Sequence, residues 1–232
     1  MSNDIINWKK ISEQSDVFKN HKPTKWAFVE EFIDRNFYEQ LYDTYPKLDD
    51  TWTKRDSFDK NGFYKNWANQ QDNEVVNYSY DESFSEFWNT FYQYLFSDNF
   101  IKNVQKFTGI PVTKLKYFSF ALIPKGGFQL PHIHDVGPGT IIILAYFSKD
   151  WEQGDPGGTY ISTEEDESTL VFEPYNLDDS AMIFHDGPSA GHGVRQIKKN
   201  VERRAIQIFL EVYSEEDGWS GDKKVEQELV EL

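Results

Sequence analysis

The second half of the chain consists of short apolar runs separated by turn residues, a pattern that predicts β-strands. The run at 140–147 is apolar and largely β-branched, which is typical of a strand buried on both faces. Eight short strands at this spacing favour a barrel or a jelly roll. They are predicted over 114–123, 128–134, 140–147, 159–162, 169–173, 181–185, 193–197 and 203–213.

The first half of the chain has helical periodicity instead, with apolar residues every three or four positions. One helix is predicted after Asp34, a second from Asp81, and a third after Ser97 that ends at Gly109 and Pro111. We expect these helices to cover the outer face of the sheet. Their apolar stripes are predicted to be Phe37, Leu41 and Tyr45; Phe84, Phe87, Trp88, Phe91 and Leu95; and Phe100, Ile101, Val104 and Phe107.

The remaining segments have weaker patterns. Residues 1–25 predict an irregular or partly helical lead-in, and 27–33 predict a short strand. Residues 50–80 are rich in Asp, Asn and Lys, with aromatic residues that follow no period. This segment is therefore either a long loop or a pair of edge strands. An amphipathic turn is predicted near 225–230.

These elements predict a mainly β protein with flanking helices, of the α+β class, and a chain of this length can form one β-rich domain. We expect a single domain over 1–232. It would comprise a helical support region at 1–113, a β core at 114–213 and an acidic tail at 214–232.

Composition excludes several functional classes. The net charge of −15 argues against non-specific binding to nucleic-acid phosphate or to an anionic membrane, because both need clustered Lys and Arg. The absence of cysteine excludes a disulfide framework, a thiolate nucleophile and a Cys-type zinc site. No segment has the pattern of a signal peptide or the length of a membrane span. We therefore expect a soluble cytoplasmic protein.

The histidines are concentrated in the predicted β core, since four of the five lie between positions 132 and 192. His132 and His134 are two residues apart, a spacing that puts both imidazoles on one face of a strand. Asp135 follows directly, and His192 lies between two glycines on a later strand. Two histidines and a carboxylate with open coordination positions suit non-haem Fe(II) and its oxygen chemistry.

Seven sequence pieces follow one another in an order that resembles the Fe(II)- and 2-oxoglutarate-dependent oxygenases, most closely their prolyl-hydroxylase-like branch. The resemblance covers roughly residues 115 to 213, about two fifths of the chain. The pieces are Pro131-His132-Ile133-His134-Asp135, Leu144-Ala145-Tyr146-Phe147, Asp150-Trp151, Gly157-Gly158-Thr159, Phe184, Gly191-His192-Gly193-Val194 and Arg203-Arg204-Ala205-Ile206.

The resemblance implies both a fold and a reaction. The fold would be a double-stranded β-helix, that is, a cupin-like jelly-roll barrel, with the N-terminal helices packed on its outer sheet. The reaction would be oxidation of a C–H bond in a peptidyl residue such as proline, or in a small molecule. It would use Fe(II), 2-oxoglutarate and O₂ and release succinate and CO₂.

The same resemblance implies His132 and His192 as metal ligands and leaves the third ligand open. The family pattern has an aspartate two residues after the first histidine, where this chain has His134. A one-residue bulge would bring in Asp135 instead. The interval back from Tyr146 favours Asp135, and a carboxylate offsets the charge of Fe(II) better than a third neutral imidazole. We therefore favour Asp135, with His134 as the alternative.

An arginine about ten residues past the distal histidine is implied as the anchor for the distal carboxylate of 2-oxoglutarate, because its fork binds carboxylates bidentately. Arg203, with the small Ala205 two residues on, fits better than Arg204. Neighbours in a strand point to opposite sides, so only one of the two faces the pocket. The Tyr146 hydroxyl either joins this pocket or belongs to the core. Ile123 occupies the position where the family often has a tyrosine.

Two other functional classes stay open. A cupin-like metalloenzyme would use the same barrel and histidines without 2-oxoglutarate. In a non-catalytic jelly-roll binding module the histidines would be incidental. His185 and Asp186 are interpreted as a loop after a strand or as partners of the metal ligands. The expected substrate is a small molecule or a peptide, and the acidic charge balance favours a basic peptide. The sequence gives no indication of an oligomeric state.

Overall fold

Two layers of antiparallel β-sheet enclose the interior of the protein in a computed structural model that describes residues 5–67, 75–134, 136 and 139–220. The helices are α1 (Trp8–Ser12), α2 (Ser15–Asn20), α3 (Arg35–Asp43), α4 (Glu86–Leu95) and α5 (Asp98–Thr108). The strands are β1 (Trp26–Glu30), β2 (Thr53–Asp56), β3 (Lys60–Asn66), β4 (Lys114–Ile123), β5 (Phe128–His132), β6 (Ile141–Phe147), β7 (Thr159–Ser162), β8 (Leu170–Phe172), β9 (Asp178–His185), β10 (Gly191–Val194), β11 (Arg203–Glu211), β12 (Tyr213–Ser214) and β13 (Gly218–Trp219).

The strand order defines a jelly roll. The major sheet runs β1-β9-β6-β11-β4-β3, and the minor sheet runs β5-β10-β7-β8. Strand β3 pairs with both β4 and β5 and so joins the two sheets at one edge, while β2 adds to β3 as a hairpin. The predicted fold class, a double-stranded β-helix with flanking helices, is confirmed.

The two faces of the major sheet pack against different partners. Every residue of β6 is buried, because its outer face meets the helices and its inner face meets the minor sheet. On β6, Ile143 belongs to the outer core, whereas Leu144 and Tyr146 belong to the inner one. Alternation along each strand therefore separates a helix-covered side from the interior of the barrel.

The helices begin and end at the residues that physical chemistry favours. Asp34 accepts hydrogen bonds from the first-turn amides of α3, and Ser97 caps α5 by accepting from the Phe100 amide. Gly109 ends α5 in the left-handed conformation, with φ of 72°. Buried residues of α3, α4 and α5 pack on the outer face of the major sheet, as the sequence predicts.

The second predicted helix starts later than expected. It begins at Glu86, because the Ser85 hydroxyl accepts from the Trp88 amide and so provides the cap. Asp81 instead donates its amide to the Asn89 side chain. Phe87, predicted to lie on the apolar stripe, is 36% exposed.

Residues 50–80 contain the strand pair β2 and β3, not a featureless loop. Of the two, only β2 is an edge strand, because β3 pairs with β2, β4 and β5. The strand predicted over 128–134 ends at His132, which matters for the position of His134. The amphipathic turn predicted near 225–230 lies outside the described residues. None of the helices in the described part of the chain combines the length and the apolar character needed to cross a membrane.

Asp179 is a buried carboxylic acid that supports the start of β9. One of its oxygens accepts from the Ile33 amide at 2.9 Å, and the other, Oδ2, has no hydrogen-bond partner within the described residues. Burial raises the pKa of Asp179 from 3.8 to about 7. The folded chain thus holds a proton that the unfolded chain releases, so this group's contribution to stability is lost as pH rises from about 4 towards 7.

Replacement of Asp179 by Asn should therefore stabilise the protein, and more so at high pH. Asparagine keeps the acceptor oxygen and tolerates the positive φ of 49° at this position. The gain in the free energy of unfolding should grow by about 1 to 2 kcal/mol between pH 5.5 and pH 8. Urea unfolding of both proteins at the two pH values measures this, and a gain independent of pH would contradict it.

Candidate metal centre

Three histidines converge at one end of the barrel interior. His132 ends β5 and is directly paired with His192 on β10. Their ring centroids are 4.3 Å apart, and each lies 4.9 Å from the ring of His134. One nitrogen from each ring can be chosen so that all three atoms lie within 4.8 Å of one another. This spacing allows all three to bind one ion.

Hydrogen bonds to the Nδ1 atoms determine which nitrogen is free. Nδ1 of His132 lies 3.0 Å from the Leu130 carbonyl oxygen, and Nδ1 of His192 lies 2.7 Å from that of Ala190. A carbonyl oxygen only accepts, so Nδ1 carries the proton in both rings, and a neutral ring then has its lone pair on Nε2. In His132 this Nε2 lies 3.2 Å from the side-chain nitrogen of Gln129.

The third imidazole has a carboxylate behind it. Nδ1 of His134 lies 2.7 Å from Oδ2 of Asp186, whose side chain is only 2% exposed. Oδ1 of Asp186 accepts from the Gly187 amide at 3.0 Å, which fixes the carboxylate. A carboxylate–histidine pair of this kind orients a metal ligand and raises its basicity. Asp186 directly follows β9, so the loop interpretation of this residue and its role beside a ligand are compatible.

Burial keeps the two paired imidazoles neutral. It lowers the pKa of His132 and lowers that of His192 well below the usual value, and the neighbouring histidines add to both effects. Neutral imidazoles with a free ring-nitrogen lone pair are the form that binds a divalent transition metal. The donor set therefore fits the ion that the sequence predicts.

Of the two predicted third ligands, the structure describes His134 and not Asp135. His134 lies two residues beyond the end of β5, yet its ring faces the other two histidines. Asp135 lies outside the described residues, so its role stays a prediction. The i, i+2 spacing predicts both rings on one face, and His134 does lie beside His132 although β5 ends at His132. The hydrogen bond between His134 Nδ1 and Asp186 Oδ2 holds it there.

Arg203 is the buried cation of the barrel interior. Its side chain is among the largest that are fully buried, at 1% exposure. Nε donates to the Gly157 carbonyl and Nη2 donates to Thr159 Oγ1, both at 2.9 Å. No Asp or Glu of the described residues pairs with it, which is unusual for a buried charge. An anionic ligand would supply the missing countercharge.

Arg204 points the other way, as expected for adjacent residues of a strand. Its guanidinium pairs with Glu202 and lies over the ring of Tyr45, on the helix-covered side. Only Arg203 therefore faces the interior.

The residues around Arg203 include Tyr146, the tyrosine that the sequence singles out. The guanidinium carbon lies 5.1 Å from the ring centroid of Tyr146, and the Tyr146 hydroxyl accepts from the Thr159 amide at 3.0 Å. Thr159 thus contacts both residues, a role that sequence reasoning missed although it lies in the Gly157-Gly158-Thr159 motif. The sequence feature that could have indicated this role is the preceding glycine pair, which marks a closely packed backbone. A side chain at Gly157 would lie 2.5 Å from the Trp151 ring.

Comparison with known proteins identifies the fold. A prolyl-4-hydroxylase from Pseudomonas putida is similar with a TM-score of 0.60 and 14% identity, over 87% of this chain and 98% of that one. A prolyl hydroxylase from Trichoplax adhaerens, in complex with a hypoxia-inducible-factor peptide fragment, has a TM-score of 0.58 and 14% identity over 91% and 96%. The chain has the fold of the 2-oxoglutarate oxygenases.

A third similar structure contains bound ligands. HygX from Streptomyces hygroscopicus, with nickel, 2-oxoglutarate and hygromycin B bound, has a TM-score of 0.57 and 10% identity, over 93% of this chain and 98% of that one. No protein-family model matches the sequence, and no curated protein matches it either. The likeness is thus one of structure, with little sequence identity.

Metal affinity should separate the two candidate third ligands. We expect His132→Ala, His192→Ala and His134→Ala each to weaken binding of Mn(II) or Zn(II) by about 100-fold or more, while Asp186→Asn weakens it by roughly 10- to 100-fold. Asp135→Ala should change it by no more than about threefold, because the three imidazoles complete the set.

Isothermal titration calorimetry of the metal-free protein measures these affinities. His21→Gln is the control, since His21 stacks on Trp26 with 3.8 Å between centroids and does not belong to the cluster. A large loss for Asp135→Ala with none for His134→Ala would instead identify Asp135 as the third ligand, as the sequence favours.

Proposed function

We propose that this protein is an Fe(II)- and 2-oxoglutarate-dependent oxygenase that hydroxylates a C–H bond. The observation that carries the proposal is the combination of three convergent imidazoles with a fully buried arginine that lacks a carboxylate partner in the described part of the chain. Fe(II) bound at this centre would supply the redox chemistry by which 2-oxoglutarate and O₂ are converted to succinate, CO₂ and a hydroxylated product.

In this proposal His132, His134 and His192 hold the metal through Nε2. Their Nδ1 partners, two backbone carbonyls and the Asp186 carboxylate, keep the rings from rotating. Asp135 remains the alternative third ligand. Three protein ligands leave coordination positions for a co-substrate, as non-haem Fe(II) oxygenases need.

Arg203 would bind the distal carboxylate of 2-oxoglutarate. Its two hydrogen bonds to Gly157 and Thr159 fix the plane of the guanidinium, and fixed donors lose little freedom on binding. The buried Tyr146 ring beside it excludes water and strengthens a charge-assisted pair. A cupin-like enzyme without 2-oxoglutarate would leave this buried charge without a function.

The related structures support a substrate class for this proposal. Related structures include a prolyl hydroxylase with a peptide and an enzyme with hygromycin B bound, which supports a peptide or a small molecule as substrate. We propose peptidyl proline as one member of the first class. The chain's charge of −15 makes a nucleic acid or a membrane surface an unsuitable partner.

Succinate formation is the direct test of the oxygenase activity. With Fe(II), 2-oxoglutarate and a panel of peptides and amino acids under air, the protein should release succinate. His192→Ala should reduce the rate to background, because a ligand of the metal is lost. No succinate above background from the wild-type protein with any substrate would contradict the proposal.

Loss of the Arg203 charge should weaken co-substrate binding specifically. Arg203→Met should lower the affinity of the Zn(II)-loaded protein for 2-oxoglutarate by about 100-fold, because a buried charged partner is removed. Arg204→Met is the matched control on the next residue and should have an effect within about threefold. Calorimetry measures both, with circular dichroism to verify folding. Equal affinities in the two variants would contradict this role for Arg203.

A further inference from the structure

A second cationic region lies at the open edge of this interior, where the hairpin β2–β3 joins the two sheets. Lys60 is half-buried there and Arg55 is exposed. This region surrounds a cavity of about 350 Å³, whose polar lining includes Thr53, Arg55, Lys60, Tyr64, Asn66 and Gln207. No Asp or Glu lines this cavity. In a chain with net charge −15, a hollow with two cations and no lining acid is a local exception.

Both cations lack a partner of opposite charge. Neither Arg55 nor Lys60 forms an ion pair within the described residues. Lys60 is half-buried, and its Nζ lies 4.1 Å from the ring centroid of Tyr64. Burial lowers its pKa to about 8, which still leaves the ammonium protonated at neutral pH. Holding a desolvated, unpaired ammonium is unfavourable unless an anion arrives.

The hydroxyl of Tyr64 is an independent sign of an incomplete site. Its oxygen is buried and has no hydrogen-bond partner in the described residues. Buried hydroxyl groups are normally satisfied, so an orphaned one indicates a missing ligand or water. Gly62 opens the space next to it, because a side chain there would lie 3.5 Å from the Tyr64 oxygen.

The hollow lies beside the metal centre and Arg203 along the paired strands. Lys60 on β3 is the strand partner of Gln129 on β5, and the Gln129 side chain contacts His132. On the other side, a side chain at Gly62 would lie 3.2 Å from Ile123, and Ile123 is paired with Arg203. By strand alternation, Lys60, Gly62 and Tyr64 all face the interior with Arg203.

We propose that this hollow binds a carboxylate of the primary substrate, held by Lys60 and Arg55 with the Tyr64 hydroxyl as a further donor. The inference rests on the proposed oxygenase function and specifies its substrate as an acidic one. An acidic substrate replaces the basic peptide predicted from the overall charge. The reason is that the hollow is positively charged whereas the whole chain is negatively charged. Arg203, whose charge also acts on Lys60 and Tyr64, is assigned to the co-substrate, and the hollow is assigned to the second anion.

Paired ligand pools test the preference. Blocked tripeptides with a fixed central Glu, Gln or Lys and random flanking residues are compared on the protein loaded with Zn(II) and 2-oxoglutarate, by saturation-transfer NMR. Free glutamate and glutamine form a second arm for a small-molecule substrate. In at least one arm the acid should bind about tenfold or more tightly than its amide, as expected for charge-assisted hydrogen bonds.

Variants assign the preference to the hollow. Lys60→Met and Arg55→Gln should each reduce the acid preference several-fold, and together they should abolish it. Tyr64→Phe should have a smaller effect in the same direction. Lys54→Gln is the matched control, because Lys54 lies next to Arg55 on β2 but pairs with Asp56 at 2.5 Å and projects to the other face.

The outcomes separate this inference from the oxygenase proposal. No acid preference, or a preference that survives the double variant, overturns the subsite. A loss of 2-oxoglutarate affinity in Lys60→Met as large as that in Arg203→Met also overturns it, because the hollow then belongs to the co-substrate. If the protein binds neither metal nor 2-oxoglutarate but retains a Lys60-dependent acid preference, the oxygenase proposal fails and the carboxylate site stands.

Discussion

The antiparallel pairing of β5 with β10 is the constraint on which the candidate site depends. It places His132 directly opposite His192, although the two residues are sixty positions apart in the chain. Each of these rings is then fixed by a hydrogen bond to the backbone two residues before it. The backbone thus supplies both the position and the orientation of two ligands. The third ring depends on a separate loop and on Asp186.

Charge is distributed in this interior in a way that core packing does not explain. A folded domain normally excludes unpaired charges from its interior, because desolvation is costly. Here Arg203 and Lys60 both lie in or beside the barrel interior, and no acid of the described residues pairs with either. The buried Asp186 offers its negative charge to His134 instead. Cationic side chains without an acidic partner thus lie on one side of the described interior, and the cluster of imidazoles lies on the other.

Much of the fold could be predicted from the sequence because it follows local rules. The apolar run of β6 and the caps at Asp34 and Ser97 have one physical interpretation each. The predicted start of α4 was wrong because Asp81 and Ser85 are both favourable N-cap residues. Only tertiary contacts select Ser85.

The same distinction between local rules and tertiary contacts applies to the candidate site. His132, His192 and the inward direction of Arg203 follow from motif order and strand alternation. The i, i+2 spacing with His132 left His134 as one of two candidate third ligands. The contact that holds its ring, with Asp186 52 residues away, could not be derived from the sequence. Lys60 and Tyr64 had no signal of their own, because their meaning depends on β3 joining β4 and β5.

Anaerobic titration of the Fe(II)-loaded protein with 2-oxoglutarate tests the central claim most directly. Chelation of the co-substrate at the histidine centre should produce a visible charge-transfer absorption band that saturates at one equivalent of bound 2-oxoglutarate. The band should be absent when glutarate, which lacks the keto group, replaces it. No 2-oxoglutarate-dependent band in a protein that binds Fe(II) would contradict the account.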